Sequence, residues 1–178
     1  MKTVIIIPAR YASSRFPGKP LAALKLADGS RKSLIELSWE AAKQVQGISE
    51  VYVATDDDRI RNAAIEFGAE VIMSSSNCAN GTERCAEALE NAKLDADLVI
   101  NLQGDAPLTP PWFIEALIDA MRNDPAAQMV TPVLQVDPMT YGLFTEDRRN
   151  GRVGGTTAVF DRSNNALYFS KEVLPFLQ

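Results

Sequence analysis

The chain has 178 residues, of which 46% are hydrophobic and 23% charged, which is the composition of a globular protein rather than a disordered one. It contains no apolar run long enough to cross a membrane, and it contains no histidine, which excludes Ser-His-Asp triads, Cys-His pairs and most transition-metal sites. The net charge of −5 argues against non-specific nucleic-acid binding, so any chemistry must come from carboxylates, Lys, Arg, hydroxyls, amides or a bound hard cation.

The N-terminus and the cysteines favour a protein that is not exported. The apolar stretch in MKTVIIIPAR is too short for the core of a signal peptide. We therefore expect a buried strand there, and a cytoplasmic protein. Cys78 and Cys85 are the only cysteines and form no CxxC motif, so we expect reduced thiols rather than a disulfide or a metal site.

Strand and helix patterns alternate from the N-terminus to residue 121. Short apolar, mostly β-branched runs predict strands over residues 3–7, 51–54, 69–73 and 97–102. Apolar residues at helical spacing predict helices over residues 33–45, 57–67, 82–92 and 110–121. Ser33 and Glu36 are expected to form a capping box at the first helix. This order predicts an α/β fold with a mixed, mostly parallel sheet and helices on both faces.

The rest of the chain has weaker patterns. Residues 129–136 are interpreted as another strand, which tolerates Pro132 only near an edge or a bulge. Residues 145–157 are charged and glycine-rich and are expected to form a loop, and residues 158–160 and 166–169 are expected to pair as strands. A chain of 178 residues is long enough for one domain, so we expect a single domain over residues 1–178.

A basic loop follows the first predicted strand and has the composition of an anion-binding site. From Arg10 to Lys32 the sequence holds six basic residues against the single Asp28. Ligands of parallel sheets bind beyond the carboxyl ends of strands, where this loop lies. The loop is neither GxGxxG nor a Walker A motif, but Arg10, Arg15 and Lys19 could cradle a triphosphate and offset charge on a leaving pyrophosphate. The alternative is a solvated basic loop without a ligand.

A lone acid follows the fourth predicted strand, in the segment NLQGDAPL. Asp105 suits Mg²⁺, which takes one or two carboxylates together with phosphate oxygens and water. The alternative is an aspartate that holds a turn beside Gly104. The position of Asp105 on the same edge of the sheet as the basic loop favours the metal.

Two further polar clusters precede predicted helices. The segment NGTER, residues 80–84, would bring a helix N-terminus and Arg84 near a phosphate or a pyrimidine edge. Alone, such a segment is more often a plain helix cap. The consecutive acids of residues 56–58 suggest a metal, but a cap for the following helix is the preferred interpretation.

With these segments assembled, the sequence resembles the 3-deoxy-manno-octulosonate (KDO) cytidylyltransferases over essentially its whole length. The stretches that carry the resemblance are IIIPARYASSRFPGKPL, VYVATDDDRI, NGTERCAEALE, LVINLQGDAPL and ALYFSKEVLPF. The PAR-S-R-PGKPL loop and the QGD-P turn are specific together, whereas either alone would also suit acylneuraminate cytidylyltransferases or other nucleotidyltransferases. The NGTER and ALYFS segments favour the KDO family.

The resemblance implies a nucleotide-diphospho-sugar transferase-like fold, a homodimer, and a Mg²⁺-dependent reaction of CTP with KDO that releases pyrophosphate, for lipopolysaccharide precursor synthesis. It implies catalytic roles for Arg15, Lys19 and Asp105, with Asp105 as the metal ligand. The nucleotide and sugar contacts that it implies come from Ala9, Arg10, Arg15, Lys19, Asn80, Arg84 and Gln103. No nucleic-acid or membrane partner is expected.

Several features differ from the family pattern. Phe16 replaces the usual leucine, Lys171 stands where arginine is usual, and residues 146–157 look unlike the family. Family members also continue into a segment that carries a second metal-binding aspartate, whereas the sequence given stops at Gln178. The alternatives are therefore the same reaction on an 8-amino KDO analogue or on a sialic or other nonulosonic acid, or a CTP-binding domain without turnover.

Overall fold

The structure is a computed structural model, which describes residues 1–12 and 16–174. Its contacts divide the chain into two compact units, unit 1 from Met1 to Val130 and unit 2 from Thr131 to Gln178. The single domain expected over residues 1–178 stays a prediction, since a unit defined by contacts is not the same as an independently folding domain. Within the described residues, no helix is long and apolar enough to cross a bilayer.

Strands and helices alternate through unit 1, and one helix followed by two strands is described in unit 2. The described strands are β1 Thr3–Ala9, β2 Ala23–Lys25, β3 Arg31–Ser33, β4 Glu50–Thr55, β5 Glu70–Met73, β6 Leu98–Asn101, β7 Thr157–Phe160 and β8 Ala166–Ser170. The described helices are α1 Leu34–Lys43, α2 Asp58–Glu66, α3 Gly81–Asn91, α4 Pro111–Asn123 and α5 Pro138–Arg149, with a short 3-10 turn over Lys19–Leu21. Every strand and helix predicted before residue 124 is confirmed, with ends that differ by one or two residues.

The core of unit 1 is a four-stranded parallel sheet in the order β5-β4-β1-β6. All seven residues of β1 are buried, because its run of Val and Ile is covered on both faces. Ile5 and Ile7 pack with residues of α1, α2 and α4, whereas Val4 and Ile6 pack with residues of α3. The predicted fold, with helices on both faces of a mostly parallel sheet, is therefore confirmed. The pairs β2–β3 and β7–β8 form separate antiparallel two-stranded sheets.

Side-chain caps determine where the first two helices begin. The Ser33 Oγ accepts a hydrogen bond from the Glu36 amide at 3.3 Å, and the Glu36 carboxylate accepts one from the Ser33 amide at 3.4 Å. Asp57 caps α2, because its Oδ1 accepts a hydrogen bond from the Arg59 amide at 2.9 Å. The predicted capping box and the preferred cap within residues 56–58 are both confirmed.

The strand predicted over residues 129–136 is wrong. These residues form neither strand nor helix in the structure. A strand needs a neighbour that completes its hydrogen bonds, and no described strand pairs with this segment. Their apolar side chains are largely exposed, with Met129 80% and Leu134 77% accessible, so the apolar pattern does not mark a core strand here.

The loop predicted over residues 145–157 is wrong in its first part, because α5 extends to Arg149. Asp137 caps this helix, its carboxylate accepting a hydrogen bond from the Thr140 amide at 2.6 Å, and Pro138 occupies the first turn. The predicted pairing of the two last strands is confirmed by the antiparallel β7–β8 hairpin.

Candidate functional site

A cleft of about 520 Å³ opens in unit 1 beyond the carboxyl ends of β1 and β6. The loop after β1, the start of α3 and the segment after β6 line it. The predicted site residues that lie on it are Ala9, Arg10, Lys19, Asn80, Arg84, Gln103 and Asp105. Arg15, the remaining predicted residue, lies outside the described residues.

The basic loop and the lone acid meet in this cleft through an ion pair. The Lys19 Nζ lies 2.5 Å from the Asp105 Oδ2. The Lys19 side chain is 45% exposed and the Asp105 side chain 44% exposed, so solvent screens the pair and a ligand can replace either partner. Arg10 is exposed at the same cleft. These groups offer cations to phosphate oxygens and a carboxylate to a hard cation.

Two glycines allow the walls of the cleft to approach closely. A Cβ on Gly104 would lie 3.0 Å from the Ile35 Cδ1 and 3.0 Å from the Pro8 carbonyl oxygen. A Cβ on Gly81, the first residue of α3, would lie 3.0 Å from the Pro8 Cγ. A side chain at Gly104 would push the segment after β6 away from β1 and α1, and a side chain at Gly81 would push the start of α3 away from β1.

Arg84 lies on the cleft, but its charged end contacts protein groups. Its side chain is only 3% exposed. Nη1 donates hydrogen bonds to the Ser74 Oγ and, at 3.4 Å, to the Ser75 carbonyl. The same atom lies 3.3 Å from the Asp56 Oδ1, which gives an ion pair without an aligned hydrogen bond. Arg84 thus ties α3 to the ends of β4 and β5, and its predicted contact with a nucleotide stays a prediction.

Asn80 and Gln103 also have partners within the protein. The Asn80 Oδ1 accepts from the Glu83 amide at 3.0 Å, and its Nδ2 donates to the Glu83 carboxylate at 2.8 Å. The Gln103 Nε2 donates to the Asn101 Oδ1 at 2.9 Å. Asn80 is therefore the cap of α3, which begins one residue before the predicted start at Thr82. The ligand contacts predicted for Asn80 and Gln103 stay predictions.

Sequence reasoning missed Arg59, which reaches the basic loop from α2. Its Cζ lies 3.3 Å from the centroid of the Tyr11 ring. The Asp57 carboxylate holds the guanidinium through two hydrogen bonds, Nε to Oδ1 at 2.9 Å and Nη2 to Oδ2 at 2.7 Å. The acidic run before Arg59 indicates a cap, but nothing in it points to an aromatic partner on another loop.

The two cysteines are free, as predicted. The Cys78 Sγ lies 3.0 Å from the Glu87 Oε2, and this hydrogen bond raises the pKa of the Cys78 thiol. Burial raises the pKa of the Cys85 thiol to about 12. Near neutral pH both thiols are therefore protonated, and neither is an activated nucleophile.

A parallel sheet with a basic loop and a lone carboxylate beyond neighbouring strand ends is an arrangement typical of α/β proteins that bind phosphorylated ligands. The family model described as cytidylyltransferase matches residues 4–178. The chain therefore belongs to the cytidylyltransferase family, and the match extends over both compact units.

Curated relatives match nearly the whole chain. A 3-deoxy-manno-octulosonate cytidylyltransferase of Maricaulis maris is 46% identical over 99% of this chain and 66% of its own length. One of Chlamydia trachomatis is 42% identical over 98% of this chain and 63% of its own length. An 8-amino-3,8-dideoxy-manno-octulosonate cytidylyltransferase of Shewanella frigidimarina is 42% identical over 99% of this chain and 67% of its own length.

A solved structure of similar fold is that of CMP:2-keto-3-deoxy-manno-octonic acid synthetase complexed with CTP. It superposes with a TM-score of 0.79 at 37% identity, over 99% of this chain and 66% of that one. The resemblance to the KDO cytidylyltransferases that the sequence predicts is thereby confirmed. This chain spans about two thirds of the length of the curated relatives that it matches, 66% and 63% for the first two.

Proposed function

We propose that this protein transfers CMP from CTP to KDO and releases pyrophosphate. The observation that carries the proposal is the meeting of Lys19 and Asp105, 2.5 Å apart, with Arg10 on the same cleft. Family membership and the relatives named for this reaction support the choice of nucleotide and sugar. Supply of a lipopolysaccharide precursor is part of the same proposal.

In the proposed reaction, the chain positions the reactants and neutralises charge. The 2-hydroxyl oxygen of the sugar bonds to the α-phosphorus of CTP, the bond from that phosphorus to the bridging oxygen breaks, pyrophosphate leaves, and the hydroxyl proton passes to solvent. Arg10, Arg15 and Lys19 would hold the triphosphate and offset the charge that gathers on the leaving group. Such a transfer depends on positioning and electrostatics more than on a strong base, which suits a chain without histidine.

Asp105 is the residue that we propose for holding Mg²⁺. Among the described residues that line the cleft, Asp105 is the one carboxylate, and no group of three or more Cys, Asp or Glu side chains in the described part of the chain is placed to hold a metal. That donor set fits Mg²⁺ in a nucleotide site, because this ion completes its shell with phosphate oxygens and water. Bound Mg²⁺ supplies positive charge to the phosphate oxygens.

A second candidate substrate is the 8-amino-3,8-dideoxy analogue of KDO. The relative from Shewanella frigidimarina that is named for this sugar is 42% identical to the chain, the same identity as the relative from Chlamydia trachomatis that is named for KDO. The nucleotide chemistry would be the same in both cases, and the sugar alone would differ.

The test of the proposed function measures pyrophosphate release and CTP binding separately. The purified protein is assayed with CTP, Mg²⁺ and KDO, the 8-amino analogue or an acylneuraminate, and CTP affinity is measured by calorimetry. We expect pyrophosphate release with KDO and its near loss in Asp105→Ala, while Asp124→Ala, a change at a residue that does not line the cleft, remains active. If pyrophosphate is released only with another sugar, that sugar is the acceptor and not KDO. If the protein binds CTP but releases no pyrophosphate with any sugar, it is a CTP-binding domain without turnover. Full Mg²⁺-dependent activity of Asp105→Ala would refute the role of Asp105.

The assembly and location that we propose are a cytoplasmic homodimer without nucleic-acid or membrane partners. The net charge of −5 supports the absence of a nucleic-acid partner. Light scattering after size exclusion measures the mass directly, and a mass of one chain at micromolar concentration would contradict the dimer.

A further inference from the structure

The basic loop is closed on itself at a defined point. The Gly18 amide donates a hydrogen bond to the Tyr11 carbonyl at 2.9 Å. Gly18 has a φ of 72°, and a Cβ there would lie 2.9 Å from the Tyr11 Cε2. Only glycine fits this combination of a left-handed backbone and a ring in contact. The next residue is Lys19, which begins the 3-10 turn and reaches Asp105.

The end of the loop at Gly18 therefore packs against the ring of Tyr11. This ring packs at the margin of the apolar cluster that contains Ile5, Ile7 and Ile35, so its inner side belongs to the core of unit 1. The guanidinium of Arg59 lies over the ring, with 3.3 Å from Cζ to the ring centroid. A cation this close to an aromatic face is attracted to it.

Asp57 fixes the orientation of that guanidinium. Its carboxylate accepts from Nε and Nη2 of Arg59, which sets the guanidinium plane, and it also caps α2. The hydrogen bond to Asp57 raises the pKa of Arg59, so the group keeps its charge. Helix α2, anchored in the core through Ile60 and Ala64, thus presents a pre-oriented cation to the loop.

We propose that Arg59 is a positioning residue for the nucleotide site, which holds Tyr11 in the closed loop and so sets the place of Lys19. The inference rests on the proposed function only in assigning the ligand of the loop to CTP. Arg59 itself does not lie on the cleft, so its effect passes through Tyr11, Gly18 and Lys19. Without the stack, Tyr11 and Lys19 are held less firmly, and a ligand has to order them on binding.

The first test measures CTP affinity by calorimetry in a matched set of variants. Arg59→Ala and Tyr11→Leu are each expected to weaken binding by roughly threefold to tenfold, the range of a partly exposed cation–π contact. Tyr11→Phe keeps the ring and should bind within twofold of the native protein. Arg61→Ala is the control on the same helix, because Arg61 contacts Asp58 and Asn62 rather than the loop. Arg59→Ala is then combined with Tyr11→Leu.

The double variant separates a positioning role from a general loss of stability. If Arg59 acts through Tyr11, the double variant binds CTP no more weakly than the worse single variant. Effects that simply multiply, or an Arg59→Ala protein that binds like Arg61→Ala, would overturn the proposal. Thermal denaturation of each variant shows that the comparison is made between folded proteins.

Hydrogen exchange tests the same contact without any ligand. The Gly18 amide should exchange faster in Arg59→Ala than in Arg61→Ala, because the hydrogen bond to the Tyr11 carbonyl opens more often. Equal exchange in the two variants overturns the positioning role. If the native protein does not bind CTP, the proposed function fails, whereas the exchange result still decides whether Arg59 holds the loop.

Discussion

At the scale of single residues, two ion pairs near the cleft differ in burial and therefore in what they do. Lys19 and Asp105 are each almost half exposed, whereas Arg84 is 3% and Asp56 17% exposed. An exposed pair contributes little to stability and can exchange partners, but removal of one member of a buried pair leaves a charge without compensation. The Lys19–Asp105 pair can thus open to bind a ligand, whereas the Arg84–Asp56 pair stabilises the fold.

This contrast gives a prediction for Arg84. Arg84→Met leaves Asp56 buried without its cation and removes the donor to Ser74, so we expect a loss of about 3 to 5 kcal/mol in the free energy of unfolding. Lys19→Met is the comparison, with an expected change of about 1 kcal/mol or less. Urea denaturation measures both.

The expected order in CTP affinity is different from the order in stability. Lys19→Met should weaken CTP binding although the protein remains folded, because the cation on the loop is gone. If Arg84→Met unfolds at the same urea concentration as the native protein but no longer binds CTP, then Arg84 contacts the nucleotide, and the structural role assigned to it here is wrong. Asp56→Asn combined with Arg84→Met should recover part of the lost stability, since no buried charge remains.

At the scale of elements, Asn80 at the start of α3 can be explained in two ways, as the cap of the helix or as a ligand contact. Asn80→Ala removes the acceptor for the Glu83 amide and should lower the free energy of unfolding by about 1 kcal/mol. Asn80→Ser keeps an uncharged oxygen acceptor, whereas an aspartate would face the Glu83 carboxylate, so Asn80→Ser should cost less than Asn80→Ala. Chemical denaturation of the three proteins checks the order.

Measurement of CTP affinity on the same proteins separates the two explanations. If Asn80 is only a cap, Asn80→Ser binds CTP nearly as the native protein does. A large loss of CTP affinity in Asn80→Ser with unchanged stability would instead assign a ligand contact to the side-chain amide of Asn80, as the family resemblance implies.

The elements that the sequence predicted well are those with strong local signals. β1 is a run of β-branched residues that is buried on both faces, and α1 has a capping box, so neither depends on distant partners for its identity. Helix α5 was not predicted because Gly142 and the charged residues near its end are typical of a loop. Asp137 and Pro138 do mark its start. Residues 129–136 have apolar side chains but no neighbouring strand, and a pairing partner cannot be read from a local pattern.

The site was predictable where it follows from position in a parallel sheet. Lys19 lies on the loop that follows β1 and Asp105 lies in the segment that follows β6. Because β1 and β6 are neighbours in the sheet, the meeting of the two residues follows from topology. The partners of Arg84 and of Tyr11 were not predictable, because they are side-chain contacts between segments whose spacing in the sequence carries no signal. Long-range contacts of this kind depend on the packing of α2 and α3 against the sheet.

At the scale of the whole molecule, the boundary between the two units lies in a segment without regular structure. Residues 124–137 form neither helix nor strand, and Met129 and Leu134 are largely exposed. Brief digestion with chymotrypsin should therefore cut the native protein first after one of these residues, since cleavage needs an extended and accessible backbone.

Mass spectrometry of the first fragments identifies the bond that is cut first and so tests this prediction. Leu108 is 92% exposed and is the internal control, because its loop is closed by hydrogen bonds from the Ala106 and Thr109 amides to the Gln103 and Ala106 carbonyls. A first cut at Leu108 would contradict the prediction. Denatured protein should lose the preference and be cut throughout.

The strand order also bears on synthesis of the chain at the ribosome. β1 is the first strand to be made, yet its neighbours are β4 and β6, so both of its edges are completed only when residue 101 has emerged. Until then the nascent chain carries an unpaired Val-Ile-Ile-Ile run, the kind of segment to which chaperones bind and which drives misassembly. Slow translation upstream of β6 should therefore lower the yield of native protein.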